Sequence, residues 1–220
     1  MTRIGILGGS FDPIHLGHVN LIINTTKMLN FNKIIIVPNS NPHYKKSSVR
    51  SDFIHVKNMI NLALNKKINF LISDIESDCT KKNYTYQTLK KIISKNNKAN
   101  YFLILGSDYA DSFHNWFESK KILSLIDLVL VERPGFQSNI SNIIKLDKSY
   151  SHEMNYKSIK VNYNLKSKRK ILRLTLKNSI DASSSDSRNA LKKFDEKKIK
   201  MLLPTEVYKY IIDKIGRAHV

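Results

Sequence analysis

The chain has 220 residues and a formal net charge of +19, from 37 Lys and Arg residues against 18 Asp and Glu residues. This length predicts one domain, placed at 1–215, with 216–220 as a disordered or non-native tail. A single cysteine excludes an internal disulfide framework, and the lack of a long apolar run excludes a membrane-spanning helix, so we expect a cytoplasmic protein with no membrane partner.

Apolar runs and turn residues predict strands that alternate with helices. The predicted strands are 4–7, 34–37, 70–72, 101–105, 128–131 and 171–176. Four helices are predicted at 19–29, 85–93, 122–125 and 205–215. Two more are predicted from their caps: a helix that Ser51 caps extends to residue 64, and a helix that Ser185 or Asp186 caps extends to residue 191. For residues 136–170 the sequence predicts loop and irregular strand, which would form a mobile flap. This alternation predicts an α/β fold with a parallel sheet and crossover helices.

The most informative segment joins the first strand to the first helix. It reads Gly8-Gly9-Ser10-Phe11-Asp12-Pro13-Ile14-His15-Leu16-Gly17-His18. Glycines let the backbone turn sharply and approach a ligand, and two histidines three residues apart share one face of a helical turn. Amides at a helix start bind anions. The segment therefore predicts a site for the phosphates of a nucleoside triphosphate, whereas a metal site lacks an evident third ligand nearby.

This segment resembles the signature of the HxGH nucleotidylyltransferases, which transfer a nucleoside monophosphate from a nucleoside triphosphate and release pyrophosphate. The resemblance implies a Rossmann-like, doubly wound α/β fold, with a mainly parallel sheet and helices on both faces. Such a sheet binds ligands at the carboxyl ends of its strands. Residues after the later strands are similar to those of one branch, the bacterial nicotinate-nucleotide adenylyltransferases.

The loop after the second strand resembles the proline-rich loop of this branch, which ends in Pro-Pro-His-Lys. Lys45 matches the lysine, and the resemblance places it near a phosphate of the mononucleotide. The pair His43-Tyr44 stands where the branch has Pro-His, so the match is imperfect there. A solvated basic loop is the alternative interpretation.

Two further segments resemble the part of the branch that binds nicotinate mononucleotide. Tyr84 and Thr85 match its Tyr-Thr-x-Asp-Thr-Leu segment, with Gln87 in place of the acid. Trp116 matches the tryptophan that would stack on the pyridine ring, because a flat aromatic face suits a flat ring. The alternatives are a helix cap for Thr85 and a core position for Trp116.

Residues after the fourth and fifth strands resemble those that contact ATP in the branch. Gly106 and Asp108 match a Gly-x-Asp segment, in which the aspartate accepts hydrogen bonds from the bound nucleotide. Arg133 matches an Arg-Pro-Gly segment near the nucleotide. A local turn or cap is the alternative interpretation of both Asp108 and Arg133.

A serine-rich segment near the carboxyl end resembles the second signature of the family, Ser-Ser-Ser/Thr-x-x-Arg at a helix start. Ser183, Ser184, Ser185 and Arg188 match it, while Ser187 stands where the family often has an apolar residue. Hydroxyls, helix amides and one arginine form a second clamp for the triphosphate. A flexible serine loop is the alternative.

The resemblance implies that ATP and nicotinate mononucleotide react to give nicotinate adenine dinucleotide and pyrophosphate. His15, His18 and Arg188 are the expected catalytic residues, and Mg²⁺ is expected to arrive with ATP rather than in a protein metal site. The expected ATP-binding residues are Gly8, Gly9, Ser10, Phe11, His15, His18, Gly106, Asp108, Arg133, Ser183, Ser184, Ser185 and Arg188. The expected mononucleotide-binding residues are Ser10, Lys45, Tyr84, Thr85 and Trp116.

Alternatives from two classes stay open: another HxGH nucleotidylyltransferase or a cytidylyltransferase of similar fold, and a nucleic-acid-binding module. Phosphopantetheine adenylyltransferase has a similar fold and second signature, but that family has Thr where this chain has His15. A basic nucleic-acid-binding module would account for the net charge of +19. It would not account for the residues that follow five successive strands, and the basic residues, mostly Lys, are spread along the whole chain. Their field favours anionic substrates.

Overall fold

The computed structural model describes residues 1–40, 51–132, 139–151, 153–156, 158–178 and 180–216. The strands are β1 (Arg3–Gly9), β2 (Lys33–Pro38), β3 (Phe70–Ile72), β4 (Asn100–Gly106), β5 (Asp127–Glu132), β6 (Met154–Tyr156), β7 (Ile159–Tyr163) and β8 (Lys170–Thr175). The helices are α1 (Leu16–Leu29), α2 (Phe53–Leu64), α3 (Thr85–Ser94), α4 (Ser119–Leu125), α5 (Ser141–Leu146), α6 (Ser184–Lys192), α7 (Glu196–Leu202) and α8 (Thr205–Tyr210). Helix α8 continues as a wider π-type turn, Ile211–Ile215, and two 3₁₀ turns, Ser107–Tyr109 and Phe113–Asn115, follow β4.

These strands form one eight-stranded sheet in the order β3-β2-β1-β4-β5-β8-β7-β6. The pairs from β3 to β8 are parallel, and the pairs that involve β6 and β7 are antiparallel. From β1 the next strands, β2 and β3, are added toward one edge of the sheet, whereas the strands from β4 onward are added toward the other edge. A crevice therefore opens between the carboxyl ends of β1 and β4. The predicted mainly parallel, doubly wound sheet is confirmed.

Two hydrophobic cores cover the two faces of this sheet. One core packs side chains of α1, α2, α6, α7 and α8 against the sheet, and Ile22, Met59 and Leu191 are fully buried in it. The other packs α3, α4 and α5 against the opposite face, with Phe113 and Ile122 fully buried. Burial on both faces explains the continuous apolar runs of the central strands, which are typical of parallel sheets.

The prediction for residues 136–170 is wrong in part. The described residues of this stretch include helix α5 and the strands β6 and β7, which pair antiparallel with each other and extend the sheet beyond β8. These strands are three and five residues long and are mostly half-exposed. Short strands of mixed polarity carry little hydrophobic periodicity, so the sequence pattern does not distinguish them from loop. Helix α7 was likewise not predicted.

Two predicted helix caps also differ from the structure. Asp52 rather than Ser51 precedes α2, and the backbone N–H of Ser51 donates to the Asp12 carboxylate at 3.2 Å. Ser183, rather than Ser185 or Asp186, caps α6, and its hydroxyl accepts from the Asp186 N–H. Helix α3 begins at Thr85, as predicted, and Tyr84 precedes it, so the alternative of a cap at Thr85 is wrong. The hydroxyl of Ser51 has no hydrogen-bond partner among the described residues, so it does not cap the helix.

The extent of the domain stays a prediction for 1–215, and residues 217–220 of the predicted tail lie outside the described residues. Across the described ranges, the helices are too short or too polar to cross a membrane.

Candidate active site

The turn after β1 carries the first signature segment at the mouth of the crevice. Phe11 adopts a left-handed backbone conformation with φ 49° and is fully buried. Its ring lies 4.9 Å from the ring of His18, so it supports that histidine from below. The left-handed region is unfavourable for a residue with a large side chain, and burial of the aromatic ring offsets this cost.

The first turn of α1 packs against the segment that leads into α6. A Cβ on Gly17 would lie 3.0 Å from Nδ1 of His15 and 3.0 Å from the carbonyl oxygen of Ile180. These distances are too short for a comfortable carbon contact. Because Gly17 has no side chain, the start of α1, the ring of His15 and the segment before α6 can pack closely together.

The two histidines form a reciprocal cap at the start of α1. Nδ1 of His15 accepts from the His18 N–H at 3.2 Å, and Nδ1 of His18 accepts from the His15 N–H at 3.4 Å. Their rings stack with centroids 3.6 Å apart. A neutral imidazole that accepts at Nδ1 carries its proton on Nε2. Each ring is therefore a hydrogen-bond donor at Nε2, which suits phosphate oxygens.

The second signature segment forms the start of α6. The Ser183 hydroxyl accepts from the Asp186 N–H and donates to the Asp186 carboxylate, at 3.0 Å and 2.6 Å. Ser187 is fully buried, and its hydroxyl donates to the Ser183 carbonyl at 2.9 Å. A serine can therefore replace the apolar residue at this position, because its hydroxyl bonds one turn back along the same helix.

Two direct hydrogen bonds tie the second segment to the first. The guanidinium of Arg188 donates to the carbonyl of Asp12 and, at 3.3 Å, to the hydroxyl of Ser185. The hydroxyl of Ser184, a buried residue, donates to the carbonyl of Pro13 at 3.1 Å. The two signatures, far apart in sequence, thus form one rigid rim.

A cleft of about 250 Å³ lies between these segments. Among the predicted ATP-binding residues, those that line it are Gly8, Gly9, Ser10, His15, His18, Gly106, Asp108, Ser183, Ser184 and Ser185. The structure therefore brings together residues from β1, β4, α1 and α6. Its wall also includes Asn20, Glu132 and Ile180, which sequence reasoning did not select.

Glycines on the floor of the cleft leave room for a ligand. A Cβ on Gly106 would meet no atom within 4 Å, and a Cβ on Gly8 would come no closer than 4.0 Å, to the Val37 carbonyl. The space beside both glycines is open. Asp108, directly after β4, has an exposed side chain at the edge of this space.

Glu132 is a buried carboxylate at the end of β5. Its carboxylate accepts from the Thr175 hydroxyl at 3.2 Å and lies 3.8 Å from the guanidinium of Arg173. Arg173 also pairs with Glu153, just before β6. A buried charge requires such partners. No local pattern in the sequence indicates this pairing, because the three residues lie on different strands or loops.

Three of the predicted mononucleotide residues, Tyr84, Thr85 and Trp116, lie on the opposite face of the sheet from α1 and α6. Trp116 is half-buried and packs on the second core, with its ring 5.3 Å from that of Phe113. Tyr84 and Thr85, at the start of α3, are also half-buried. Trp116 thus combines the predicted core contact with an accessible ring surface.

A buried hydrogen bond holds the start of α3 in place. The Thr88 hydroxyl donates to the carboxylate of the buried Glu76 at 2.6 Å. The carbonyl of Glu76 in turn accepts from the Ser40 N–H, just after β2, at 3.2 Å. The loops after β2 and β3 are therefore coupled to the helix that carries Thr85.

A second cavity of about 270 Å³ lies next to the cleft. Ser10 lines both cavities. The second cavity is otherwise lined by Asp12, Pro38, Asn39, Ser40, Ser51, Asp52, Phe53, Val56, Ser77 and Cys79. Ser10 therefore stands at a junction between the two spaces.

Two predicted site residues, Lys45 and Arg133, lie outside the described residues, as do His43 and Tyr44. In the described ranges, no group of three or more His, Cys, Asp or Glu side chains is placed to hold a metal ion.

The chain is similar to proteins of known family. The profile of the cytidylyltransferase-like family matches residues 6–190. "Probable nicotinate-nucleotide adenylyltransferase" of Clostridium botulinum strain Okra is 31% identical over 213 residues, covering 96% of this chain and 97% of the relative. The protein of the same name from strain Eklund 17B is 37% identical over 155 residues.

The chain belongs to the nicotinate-nucleotide adenylyltransferase family. The resemblance inferred from its sequence motifs is therefore confirmed, and the chain is a nucleotidyltransferase. Two structures of the Plasmodium falciparum nicotinic acid mononucleotide adenylyltransferase, complexed with NaAD or with APC, match with TM-scores of 0.76 and 0.75. Both are 22% identical and cover 100% of this chain and 99% of that chain, so they support the fold of the family member described here.

Of the neighbouring residues Ser184 and Ser185, Ser184 bonds the first signature through its hydroxyl. Loss of the two hydroxyls should therefore change the stability of the fold by different amounts. Ser184→Ala should lower the free energy of unfolding by about 1 kcal/mol, because the Pro13 carbonyl loses its buried donor. Ser185→Ala, at an exposed position of the same helical turn, is the matched control and should change it less. Urea denaturation measures both values. Equal losses in the two variants would contradict a structural role for the Ser184 hydroxyl.

Proposed function

We propose that this chain transfers the adenylyl group of ATP to the phosphate of nicotinate mononucleotide, which yields nicotinate adenine dinucleotide and pyrophosphate. The observation that carries the proposal is the rim in which Arg188 and Ser184 tie the second signature to the HxGH turn. This rim brings two histidines and a serine-rich helix start to one cleft at the crevice of the sheet. Family membership supports the choice of substrates.

The reaction needs no protein nucleophile. An oxygen of the mononucleotide phosphate attacks the α-phosphorus of ATP in line, and the bond from that phosphorus to the bridging oxygen breaks. The attacking oxygen is already ionised at neutral pH, so no general base is required. Catalysis is then mainly positioning of the two substrates and stabilisation of the charge that develops on the leaving pyrophosphate.

We assign His15 and His18 to the phosphates of ATP, with His18 next to the transferring group. Their mutual caps place the donor protons on Nε2 in advance, so the rings need no reorientation as charge develops. We assign Arg188, the Ser185 hydroxyl and the helix start formed by Ser183–Ser185 to the pyrophosphate side. Their helix start supplies a favourable dipole for an anion.

The remaining assignments follow the position of each residue. Asp108 and Arg133 are assigned to the nucleoside of ATP. The mononucleotide is assigned to Tyr84, Thr85 and Trp116 on the α3 side of the crevice, with Lys45 and Ser10 on its phosphate. Gly8, Gly9, Phe11 and Gly106 shape and support the cleft. In this arrangement the two phosphates approach each other beside Ser10, which lines both cavities.

We propose that Mg²⁺ enters with ATP as the MgATP substrate and is held by phosphate and water oxygens. Magnesium ions commonly keep several waters and bind substrate phosphates rather than an all-protein cage. Location in the cytoplasm stays a prediction.

Pyrophosphate release with ATP and each of three acceptors tests the function. Nicotinate mononucleotide should be adenylylated faster than nicotinamide mononucleotide, and phosphopantetheine should not react. Faster reaction with phosphopantetheine would favour the alternative enzyme. A chain that binds RNA or DNA in a filter assay, with strong salt dependence and no pyrophosphate release, would favour the nucleic-acid-binding alternative.

His18→Ala should lower kcat by at least about 100-fold, the effect of losing one donor to a developing negative charge. Steady-state pyrophosphate release measures the rate, and circular dichroism checks that the fold is retained. His55→Ala is a control, because the His55 ring bonds the Tyr210 hydroxyl at 2.8 Å, away from the cleft. A near-normal kcat for His18→Ala would rule out the assignment.

Trp116→Ala should raise KM for nicotinate mononucleotide more than KM for ATP, because the stacking surface for the pyridine ring is lost. Trp116→Phe, which keeps an aromatic face, should recover most of the affinity. Steady-state kinetics with each substrate varied in turn measures both constants. Equal losses for both substrates would argue against a stacking role.

A further inference from the structure

Tyr109 lies between the cleft and the ring of Trp116. It is 37% exposed and lines the cleft in which ATP is proposed to bind. The ring of Tyr109 also meets the ring of Trp116 edge to face, with the centroids 5.8 Å apart and the planes at 77°. Aromatic pairs favour this arrangement and this distance. Tyr109 therefore contacts, from the side of the ATP cleft, the tryptophan that is assigned to the mononucleotide.

The backbone around Tyr109 is held in place by its neighbours. Ser107 and Ala110 are buried, and the Ala110 N–H donates to the Ser107 carbonyl at 2.9 Å, which closes a 3₁₀ turn. Asp108, which is assigned to the nucleoside of ATP, belongs to the same turn. A 3₁₀ helix has three residues per turn, so consecutive side chains point in different directions. One fixed turn thus carries both Asp108 at the cleft and the ring that contacts Trp116.

Two aromatic rings contact the indole of Trp116 at different angles. The fully buried Phe113 lies 5.3 Å from it, with the planes 38° apart, and ties it to the second core. The torsion that turns an indole about its bond to Cβ has broad energy wells, so one contact leaves the plane of the ring loosely defined. Tyr109 meets the indole at the steeper angle of 77° and restricts that rotation. Trp116 is half-buried, so part of its ring surface stays accessible.

We infer that Tyr109 is a positioning residue, whose ring holds the Trp116 indole in the orientation that stacks on the pyridine ring of nicotinate mononucleotide. The inference rests on the proposed function, in which Trp116 supplies that stacking surface. A surface whose plane is set before binding avoids the cost of ordering a side chain when the ligand arrives. The contact joins the two rings, so this role requires the ring of Tyr109 and not its hydroxyl.

Tyr109→Ala should raise KM for nicotinate mononucleotide by about two- to tenfold, the scale of one aromatic pair, and should change KM for ATP less. Tyr109→Phe keeps the ring and should restore KM. Tyr163→Ala is the matched control, because Tyr163 is half-buried and pairs with Lys170 at the amino end of β8, whereas the cleft lies at the carboxyl ends of the strands. Steady-state pyrophosphate release with each substrate varied in turn measures both constants. A rise in KM for ATP alone would overturn the inference in favour of a direct contact with the nucleotide.

The fluorescence of Trp116 gives a second readout, which a change in stability alone does not move. Trp116 is the only tryptophan in the chain, so the intrinsic emission reports on this ring. Tyr109→Ala should lower the fluorescence anisotropy, because the indole turns more freely, and Tyr109→Phe should match the wild type. Tyr109→Leu fills the same space without an aromatic ring, and it provides a second variant if alanine unfolds the turn. Wild-type anisotropy together with wild-type KM in either Tyr109→Ala or Tyr109→Leu would overturn the inference.

Binding without turnover distinguishes failure of this inference from failure of the proposed function. Quenching of the Trp116 fluorescence by nicotinate mononucleotide measures the Kd for the wild type and for each variant. If the wild type neither binds nicotinate mononucleotide nor releases pyrophosphate with it, the proposed function fails and the role of Tyr109 fails with it. If the wild type turns over nicotinate mononucleotide and Tyr109→Ala binds it with an unchanged Kd, the assignment of Tyr109 fails alone.

Discussion

The site depends on the hydrogen bonds that join the start of α6 to the turn after β1. Arg188 and Ser184 donate to the consecutive carbonyls of Asp12 and Pro13, across 176 and 171 residues of sequence. Backbone carbonyls in a buried turn need donors, so the chain satisfies them with side chains that also position the second signature. Without this tie, the two phosphate-binding segments would belong to separate elements with no defined spacing.

Both helix starts at the cleft are capped by side chains that also face the ligand space. His15 caps α1, and Ser183 caps α6. These caps accept hydrogen bonds from the backbone N–H groups of His18 and Asp186. A helix start that bound an anion through its amides alone would need those N–H groups for the ligand. The cap is nevertheless useful for binding, because an imidazole held at Nδ1 presents its Nε2 proton in one direction. Preorganised donors avoid a reorganisation cost during reaction.

The surrounding architecture explains why the polar site is tolerated. Two apolar cores fill both faces of the sheet, and the polar groups gather at the carboxyl edge, where parallel strands end. Buried charges such as Glu132 and Glu76 have Arg173 or Thr88 as partners.

Sequence alone determined the sheet type, the strand-to-helix turn with its two histidines, and the serine-rich helix near the end, because these depend on local periodicity and short motifs. It did not reveal β6, β7 and α7, whose short segments carry little periodic signal, or that Ser183 rather than a later residue caps α6. Asn20 and Glu132 also escaped sequence reasoning, since a polar residue within a helix or strand does not show which neighbours surround it. Only the tertiary structure decided which carbonyls Arg188 and Ser184 reach and which side chains share the cleft, because those contacts join residues more than 170 positions apart.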